Sequence, residues 1–261
     1  MKKILFSLFL ASSVAFAKDV VLVQGAMDME VDYLVEQLKD PVKEQVAAWT
    51  FWKGSMGDKT VVVSRTEVGL TNVSASTAIG IERYSPTLII NQGTSGGHDP
   101  KLHTGDIVLG EKMINIGAMR TERKEADKPA NYKDWIFFDV VQRLRDATGK
   151  KQENKYFVSD EKSMELAENL EYENGKVVRG VIGTADQWNR ELERINFLHE
   201  KFNTSVEEME TTASAQIAKA YDIPFIGVRI LSNTDVHNED FNPNTALWCQ
   251  EYVASLIKKI K

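Results

Sequence analysis

The sequence predicts an α/β fold in which a mostly parallel sheet is covered by helices. Short β-branched runs, such as Val20–Gln24, alternate along the chain with segments whose apolar residues recur at helical spacing. The chain has 261 residues, of which 43% are hydrophobic and 27% charged, values typical of a globular protein with a large core. Strands that alternate with helices are typical of a parallel sheet packed between helices.

The first half of the chain contains most of the predicted strands. Val20–Gln24 ends at a glycine and predicts a buried strand, and Asp28–Leu38 has helical spacing with acidic residues in its first turn, which suit the positive end of the helix dipole. Trp49–Met56 and Thr60–Arg65 predict an antiparallel pair, the exception to the parallel arrangement. The remaining predictions of this half are a helix over Asn72–Tyr84, a strand over Thr87–Asn91, a loop over Gln92–Pro100, and strands over Asp106–Leu109 and Met113–Ile116.

The second half continues the alternation. Helices are predicted over Tyr132–Ala147, Gln187–Leu198, Thr211–Tyr221 and Asn244–Ile260, and strands over Lys176–Ile182, Ser205–Glu208 and Pro224–Leu231. The charged stretch Arg120–Asn131 predicts an exposed loop. No linker-like segment divides the chain, so residues 18–261 are predicted to form a single domain.

The first seventeen residues have the pattern of a secretory signal. Lys2 and Lys3 precede an apolar run, and Ala15-Phe16-Ala17 places small residues where a signal peptidase reads them. We therefore expect cleavage after Ala17, a periplasmic location in a bacterium, and no membrane association of the mature chain. The alternatives for this segment are a buried N-terminal strand or an uncleaved anchor.

The composition of the chain and the absence of several known motifs exclude some classes of function. A formal net charge of -6 argues against a nucleic-acid partner. Because Cys249 is the single cysteine of the sequence, the chain cannot form an internal disulfide framework. Cys249 is predicted to lie in a helix and to pack in the protein core rather than to act as a nucleophile. His98 and His103 flank a loop, but two histidines without further ligands do not indicate a metal site, and the phosphate-cradling and zinc-binding motifs are absent. We expect no metal and no cofactor.

Four predicted strands end in loops that carry carboxylates, glycines or amides. These loops are Gly25–Glu30, Gly93–Gly97, Glu207–Thr211 and Ser232–Asp235. In an α/β sheet, ligands bind at the carboxyl ends of the strands. A carboxylate accepts two hydrogen bonds at once and can bridge adjacent sugar hydroxyls, while a second carboxylate can act as a general base on water. The loops therefore predict a site for a glycosyl substrate.

In and around these loops, the sequence contains the motifs G-A-M-x-x-E-V at Gly25–Val31, N-x-G-[ST]-x-G-G at Asn91–Gly97, G-D-I-V at Gly105–Val108, E-M-E at Glu208–Glu210 and I-P-F-x-x-V-R-x-x-S at Ile223–Ser232. Together they resemble the purine nucleoside phosphorylase/uridine phosphorylase superfamily, and within it the 5′-methylthioadenosine/S-adenosylhomocysteine nucleosidases. The resemblance implies a three-layer α/β/α sandwich with a mixed, partly closed central sheet, usually as a homodimer. It also implies hydrolysis of the N-glycosidic bond of purine nucleosides of this type, through an oxocarbenium-like transition state, to a free base and a ribose derivative.

The resemblance implies catalytic roles for a few residues. Glu30 matches the base that activates water, and Met209 and Glu210 match the ribose contacts, with Glu210 bridging the 2′ and 3′ hydroxyls. Arg229 matches a buried arginine near the water-activating carboxylate, acting either as a salt-bridge partner or directly in the mechanism. The first loop offers Glu30 and no arginine. A carboxylate there suits water and repels phosphate, so hydrolysis is favoured over phosphorolysis.

Seven further residues are implied to surround the sugar and the base: Thr94, Ser95, Gly96, Trp188, Asn189, Glu208 and Ser232. Among these, Trp188 matches an aromatic residue that stacks on the purine, and Asn189 matches a residue whose backbone meets the base edge.

The sequence departs from the nucleosidase pattern at Asn233. The family has an aspartate there, the general acid that protonates the leaving adenine, whereas an asparagine donates a hydrogen bond but delivers no proton. Three interpretations stay open: a 6-oxopurine nucleoside as the substrate of a hydrolase or phosphorylase, Asp235 as the acid, or a non-catalytic nucleoside-binding relative. We expect an active hydrolase.

A second departure lies in Met113–Asn131, which does not match the family's apolar pocket for the 5′-alkylthio group. Arg120, Arg123 and Lys124 occur there instead. They indicate either a solvated loop or a different 5′ substituent, one that is larger or anionic.

Overall fold

The computed structural model describes residues 19–138, 143–146 and 148–260, so the predicted signal segment and its cleavage site lie outside the described residues. The strands in chain order are β1 (Val20–Gly25), β2 (Lys39–Val46), β3 (Trp49–Met56), β4 (Lys59–Arg65), β5 (Leu88–Gly97), β6 (Ile107–Asn115), β7 (Met119–Arg120), β8 (Ile136–Phe137), β9 (Arg143–Arg145), β10 (Lys151–Glu153), β11 (Val177–Thr184), β12 (Thr204–Glu208) and β13 (Phe225–Asn233). The helices are α1 (Asp28–Glu36), α2 (Leu70–Tyr84), α3 (Glu161–Glu168), α4 (Leu192–Phe202), α5 (Thr211–Ala220) and α6 (Asn244–Lys259).

Within the described residues, nine strands form one mixed sheet in the order β12-β11-β6-β13-β5-β1-β4-β3-β2. The centre is parallel, with β1 between β4 and β5 and with β13 parallel to β5. The hairpin strands β2, β3 and β4 extend one side in antiparallel fashion, and β6 runs antiparallel to β13.

The sheet closes on itself at one end. β12 pairs not only with β11 but also, in antiparallel register, with the end of β5, where Val206 lies opposite Gly97 and Glu207 opposite Gly96. The five strands β5, β13, β6, β11 and β12 therefore form a ring, while β1 to β4 form an open wing. The predicted partly closed sheet is confirmed.

Helices cover both faces of the sheet. On β1, Val21 and Val23 face a core shared with α1, α3 and α6, whereas Leu22 faces a second core shared with α2 and α5. This alternation follows from the two-residue period of a strand, since successive side chains point to opposite faces. A strand buried on both faces reads as a continuous apolar run, which is why VVLV was recognisable in the sequence. The three-layer α/β/α arrangement is confirmed.

Several predicted elements differ from the structure. The predicted helix over Tyr132–Ala147 is wrong for the described part, which contains a 3₁₀ turn at Tyr132–Asp134 and the short strands β8 and β9. The predicted loop over Gln92–Pro100 is wrong up to Gly97, because β5 continues between β13 and β12. The two strands predicted over Asp106–Leu109 and Met113–Ile116 are one strand, β6.

Two of the longer elements, β2 and α3, were not predicted, and neither were the short strands β7 and β10. β2 lies at the edge of the sheet and is mostly exposed and charged, so its sequence lacks the apolar alternation of a half-buried strand. Helix α3 is short, and only Ser163, Met164 and Ala167 are buried on it. Asp160 is the N-cap of α3, and its side chain accepts a hydrogen bond from the Ser163 N–H at 2.9 Å.

Candidate active site

A cavity of about 410 Å³ opens where β1, β5, β12 and β13 end. All four loops singled out from the sequence contribute to it. Ten of the predicted site residues line this cavity: Glu30, Thr94, Ser95, Gly96, Trp188, Glu208, Met209, Glu210, Ser232 and Asn233. Two others, Asn189 and Arg229, lie behind the wall and contact lining residues.

Glu30, in the first turn of α1, is buried and held by four protein donors. One carboxylate oxygen accepts hydrogen bonds from the backbone N–H groups of Ala26 and Met27, at 2.9 and 3.2 Å. The other accepts from the N–H and the hydroxyl of Thr94, both at 2.8 Å. The donors come from both β1–α1 and β5, so the carboxylate is fixed at the junction of two strand ends. Of these donors, the Thr94 hydroxyl can rotate to bond another acceptor, which leaves a place for water.

Gly93 lies between Glu30 and the guanidinium of Arg229. A Cβ at this position would lie 2.7 Å from a Glu30 carboxylate oxygen and 2.5 Å from Arg229 Nη1. Both distances are shorter than atoms tolerate, so only glycine lets the two charged groups face each other across β5. Packing therefore requires a glycine at position 93 of the glycine-rich motif.

Arg229 is fully buried and serves as the central cation of the site. Its Nη2 lies 2.6 Å from a Glu208 oxygen and 3.6 Å from a Glu210 oxygen, and Nε donates to the Thr211 hydroxyl at 2.9 Å. These contacts favour the salt-bridge interpretation of Arg229, because the guanidinium reaches carboxylates and does not line the cavity itself. The neighbouring carboxylates raise the pKa of Arg229 against the opposing effect of burial.

Glu208 lines the cavity, but its carboxylate bonds mainly to other groups of the protein. One oxygen accepts from the N–H groups of Glu210 and Thr211, both at 2.8 Å, and also meets Arg229; the other accepts from the Thr184 hydroxyl. The carboxylate thereby fixes the start of α5. We interpret Glu208 as a positioning residue for Glu210.

Glu210, by contrast, keeps acceptor positions free. One oxygen accepts the N–H of Gly69 at 2.9 Å, and the other approaches only Arg229, at 3.6 Å. Gly69 has φ +102°, a conformation that favours glycine, so the donor depends on this residue type. Burial is the main cause that raises the pKa of Glu210 to about 8, and repulsion from Glu208 and Glu30 adds to it while Arg229 opposes it.

Trp188, Gly96 and Asn233 also line the cavity. Trp188 is 61% exposed at the mouth, where a ring is free to stack on a ligand. Asn233 is buried, and its Oδ1 lies 3.1 Å from the Ser232 hydroxyl, which in turn lies 3.1 Å from the carbonyl oxygen of Ser95. The Ser95 hydroxyl donates to the carbonyl of Ile230 at 2.9 Å, so β5 and β13 are cross-linked beneath the cavity.

Glu207 is a cavity residue that the sequence analysis did not select. It is 5% exposed, and its carboxylate accepts both the backbone N–H of Asn189, at 2.8 Å, and the Asn189 side-chain amide. Burial is the main cause that raises the pKa of Glu207. The sequence does contain a signal for Glu207, because three carboxylates lie within Glu207–Glu210 at the end of a strand whose other residues are apolar or small. The N–H of Asn189, implied to meet a base edge, is therefore already bonded to Glu207.

Asp235 is directed away from the cavity. Its carboxylate pairs with Arg190, with Nε at 3.2 Å and Nη2 at 3.0 Å, and it does not line the cavity. This geometry argues against Asp235 as the proton donor to a bound base. Cys249 is fully buried in α6, and burial raises the pKa of its thiol to about 12, which agrees with a core role.

The basic residues of the 120s loop are paired locally. Arg120 meets Glu122, Arg123 meets Glu125 and Lys124 meets Asp134, and none of the three lines the cavity. This favours the solvated-loop interpretation. Across the described part of the chain, no cluster of three or more His, Cys, Asp or Glu side chains is arranged to hold a metal. In that same part, no helix has the length and hydropathy to cross a membrane.

Comparison with known proteins agrees with this geometry. The model of the phosphorylase superfamily matches residues 20–260. The 5′-methylthioadenosine/S-adenosylhomocysteine nucleosidase of Bacillus pumilus is 31% identical over 247 residues, which cover 92% of this chain and 98% of that protein.

Two solved structures show the same fold. The nucleosidase of that name from Neisseria meningitidis, in complex with methylthio-immucillin-A, has a TM-score of 0.75 and 22% identity, covering 93% of this chain and 100% of that one. The futalosine hydrolase of Helicobacter pylori has a TM-score of 0.74 and 18% identity, covering 93% and 98%. The chain therefore belongs to the phosphorylase superfamily, and it is related over nearly its full length to the methylthioadenosine/adenosylhomocysteine nucleosidases.

Proposed function

We propose that the protein is an N-ribosyl hydrolase that cleaves the glycosidic bond of purine nucleosides and releases the free base and a ribose derivative. One observation carries the proposal: two buried carboxylates, Glu208 and Glu210, contact the buried guanidinium of Arg229, and a third, Glu30, faces it across Gly93. An oxocarbenium-like transition state places positive charge on the sugar. An excess of fixed negative charge stabilises that state more than it stabilises the neutral substrate.

In the proposed mechanism, Glu30 accepts a proton from a water molecule as the water oxygen bonds to C1′. The C1′–N9 bond breaks, and its electron pair leaves with the purine. Glu210, in its ionised form, holds the ring by accepting hydrogen bonds from the 2′ and 3′ hydroxyls, since a carboxylate accepts two donors at once, and these donors oppose the burial that raises its pKa to about 8. Trp188 stacks on the purine, and Thr94 and Met209 border the sugar.

Asn233 is proposed to stabilise the departing base without a proton of its own. Its amide N–H groups can donate to an acceptor atom of the purine and offset the negative charge that develops there. A hydrogen bond of this kind contributes less than a full proton transfer, which typically accelerates a reaction about 10²–10⁴-fold. The proton that neutralises the base then comes from solvent.

Water is favoured over phosphate as the nucleophile. The described residues that line the cavity include no lysine or arginine, and the nearest charges are carboxylates. A phosphate dianion would be repelled there and would lack the donors that such sites provide.

The relatives are named for methylthioadenosine and adenosylhomocysteine, and we propose a 5′-substituted nucleoside of this type as one substrate class. Met27, Met29, Val68 and Phe241 share the cavity wall and provide an apolar surface for an alkylthio group. The basic residues of the 120s loop do not support an anionic 5′ substituent.

The test is purine release in the presence and absence of phosphate. The substrates are methylthioadenosine, S-adenosylhomocysteine, adenosine, inosine and guanosine, and Glu30→Gln is the matched inactive control. We expect release that does not depend on phosphate. Release that requires phosphate would contradict hydrolysis and identify the reaction as phosphorolysis.

A second candidate function is nucleoside binding without catalysis, and Asn233 is the observation that favours it. Tight binding of these nucleosides in calorimetry, combined with no purine release from any of them, would support this candidate and contradict hydrolysis.

We also propose that the protein is exported, with residues 1–17 removed, and acts in the periplasm as a homodimer. The signal-like N-terminal sequence supports export, and the family resemblance supports the dimer. Mass spectrometry of the protein recovered from a bacterial periplasmic fraction tests cleavage after Ala17. Sedimentation of the purified protein tests the dimer, and a monomer at micromolar concentration would contradict it.

A further inference from the structure

Asn91 of β5 is a buried residue beside Arg229 that has no part in the mechanism proposed above. It is 1% exposed and is not among the described residues that line the cavity. Its Oδ1 accepts a hydrogen bond from Arg229 Nη2 at 2.5 Å and another from the Thr211 hydroxyl at 3.2 Å. Thr211 in turn accepts the Arg229 Nε–H at 2.9 Å. The three side chains therefore form a closed ring of hydrogen bonds.

The orientation of the Asn91 amide is fixed by Gln24 of β1. Asn91 Nδ2 donates to Gln24 Oε1 at 3.4 Å. The same Gln24 oxygen accepts from the Ser214 hydroxyl at 2.5 Å, and Gln24 Nε2 donates to the Thr77 hydroxyl at 2.9 Å. A flipped Asn91 would set its amide NH2 group against the Arg229 guanidinium, donor against donor. The network therefore presents an acceptor to Arg229.

Three acceptors surround Arg229 Nη2, and they lie at different distances. Nη2 is 2.5 Å from Asn91 Oδ1 and 2.6 Å from a Glu208 oxygen, whereas a Glu210 oxygen is 3.6 Å away, beyond hydrogen-bond distance. If the Asn91 oxygen were removed, the freed donor would turn to Glu210, because a hydrogen bond between two charged groups is the stronger kind. The Glu210 carboxylate would then lose an acceptor position.

We infer that Asn91 is a positioning residue that holds Arg229 away from Glu210 and keeps the Glu210 carboxylate open for the two sugar hydroxyls. Asn91 acts through Arg229 and does not touch the substrate. The device uses a neutral amide, so it occupies the guanidinium without adding another negative charge to the site. This inference rests on the proposed function, because it explains why the carboxylate proposed to bind ribose is free.

The first test is the titration of the Glu210 carboxyl group, followed by carbon NMR and assigned with Glu210→Gln. The charged groups that face Glu210 are Glu30, Glu208 and Arg229, and of these Arg229 lowers its pKa. Asn91→Leu removes the acceptor at similar volume and should let Arg229 bond to Glu210. We therefore expect the midpoint of the Glu210 titration, about 8 in the unaltered protein, to fall by about one pH unit or more.

Asn91→Asp should have the opposite effect. It keeps the shape and the acceptor, holds Arg229 more firmly and adds a negative charge near Glu210, so the midpoint should rise. Ser76→Ala is the matched control, because the hydroxyls of Ser76 and Ser64 form a separate buried pair, 2.7 Å apart. The control should leave the midpoint unchanged. Structural damage alone does not move one titration in opposite directions in two variants of one residue.

The second test uses the sugar hydroxyls themselves. It compares kcat/KM for adenosine and 3′-deoxyadenosine, which differ in one of the two hydroxyls that Glu210 is proposed to accept. Asn91→Leu should reduce the preference for adenosine about tenfold, the value of a hydrogen bond to a charged group. Ser76→Ala should keep the preference, since a general loss of stability affects both substrates equally.

A Glu210 midpoint that stays the same or rises in Asn91→Leu would overturn the inference and leave the proposed hydrolysis standing. An adenosine preference that survives in this variant would also overturn it. If Asn91→Leu does not fold, the titration of Asn91→Asp decides, and a midpoint that is unchanged or lower overturns the inference. If no nucleoside is cleaved, the proposed function fails, whereas the titration needs no substrate and still decides the role of Asn91.

Discussion

The two ends of the cavity differ in how their polar groups are satisfied. At the end that we propose for the sugar (the sugar end), Glu30 accepts four protein hydrogen bonds, and Glu208 bonds to Arg229 and to the start of α5. At the end that we propose for the base (the base end), Glu207 accepts hydrogen bonds from Asn189 alone among the described residues, with His98 Nε2 at 3.7 Å, and Asn233 places its amide nitrogen beside Gly96. The sugar end is organised before any ligand arrives, as a site of chemistry requires, whereas the base end is completed by the ligand and is suited to selection.

The largest expected effect comes from the sugar end. Glu30→Gln keeps the shape of the side chain but removes the group that accepts a proton from water, so we expect kcat to fall about 10²–10⁴-fold. Binding of the nucleoside should change little. Steady-state kinetics and calorimetry measure the two effects.

Asp28→Asn is the matched control for this variant. Asp28 lies in the same helical turn but pairs with Arg65 outside the cavity. The control should keep its turnover within about twofold, as expected for an exposed ion pair. Turnover by Glu30→Gln equal to that of the control would remove Glu30 from the mechanism.

The next effect concerns the base end. Asn233→Asp introduces a carboxylic acid that can deliver a proton to a departing adenine, so we expect adenosine cleavage to rise by about tenfold or more. Inosine cleavage should fall, because the amide donor is lost. The two rates are measured over pH, and the adenosine rate should decline as the new acid ionises. An adenosine rate that stays the same would mean that proton delivery at this position does not limit the reaction.

A smaller effect links Glu210 to stability. Its pKa is about 8 in the folded protein and near 4.5 in the unfolded chain, so between these values the folded state holds a proton that the unfolded state has lost. Stability from this group is present below about pH 4.5 and decreases as the pH rises toward 8. Glu210→Gln removes the dependence.

The measurement is the melting temperature of both proteins between pH 5 and pH 8. Relative to Glu210→Gln, the unaltered protein should lose melting temperature continuously as the pH rises over this range, because its folded state retains a proton that the unfolded chain has released. His98 acts in the opposite direction, because burial lowers its pKa to about 3, but it is present in both proteins and cancels. A constant difference in melting temperature would contradict the raised pKa of Glu210.

The smallest effect is expected outside the cavity. Asp235→Asn breaks a pair with the exposed Arg190, an interaction worth about 0–1 kcal/mol. Purine release should change less than about twofold. A loss of 100-fold or more would identify Asp235 as the acid and would require the loop to rearrange when substrate binds.

Short motifs and buried apolar runs were sufficient to predict the α/β class, most strands and helices, and the four loops that meet at the cavity. These patterns are local in sequence, and the loops that follow neighbouring parallel strands lie at the same edge of a sheet. Glu30, Glu210 and Asn233 could therefore be predicted to share one site from the sequence. The edge strand β2 was not predicted, because four of its eight residues are charged and carry little periodic signal. The helix over Tyr132–Ala147 was predicted wrongly for the opposite reason, since its apolar residues suggest a helix whereas the described part forms a 3₁₀ turn and short strands.

Only the tertiary structure decided how the site residues use one another. The extension of β5 to Gly97 depends on partners from β12 and β13, which are more than 100 residues away in sequence. The contacts of Arg229 with Glu208 and Glu210, and the hydrogen bond from the Asn189 N–H to Glu207, likewise join residues that are distant in sequence. A hydrogen bond or an ion pair is set by distance in space, and local sequence patterns do not contain that distance.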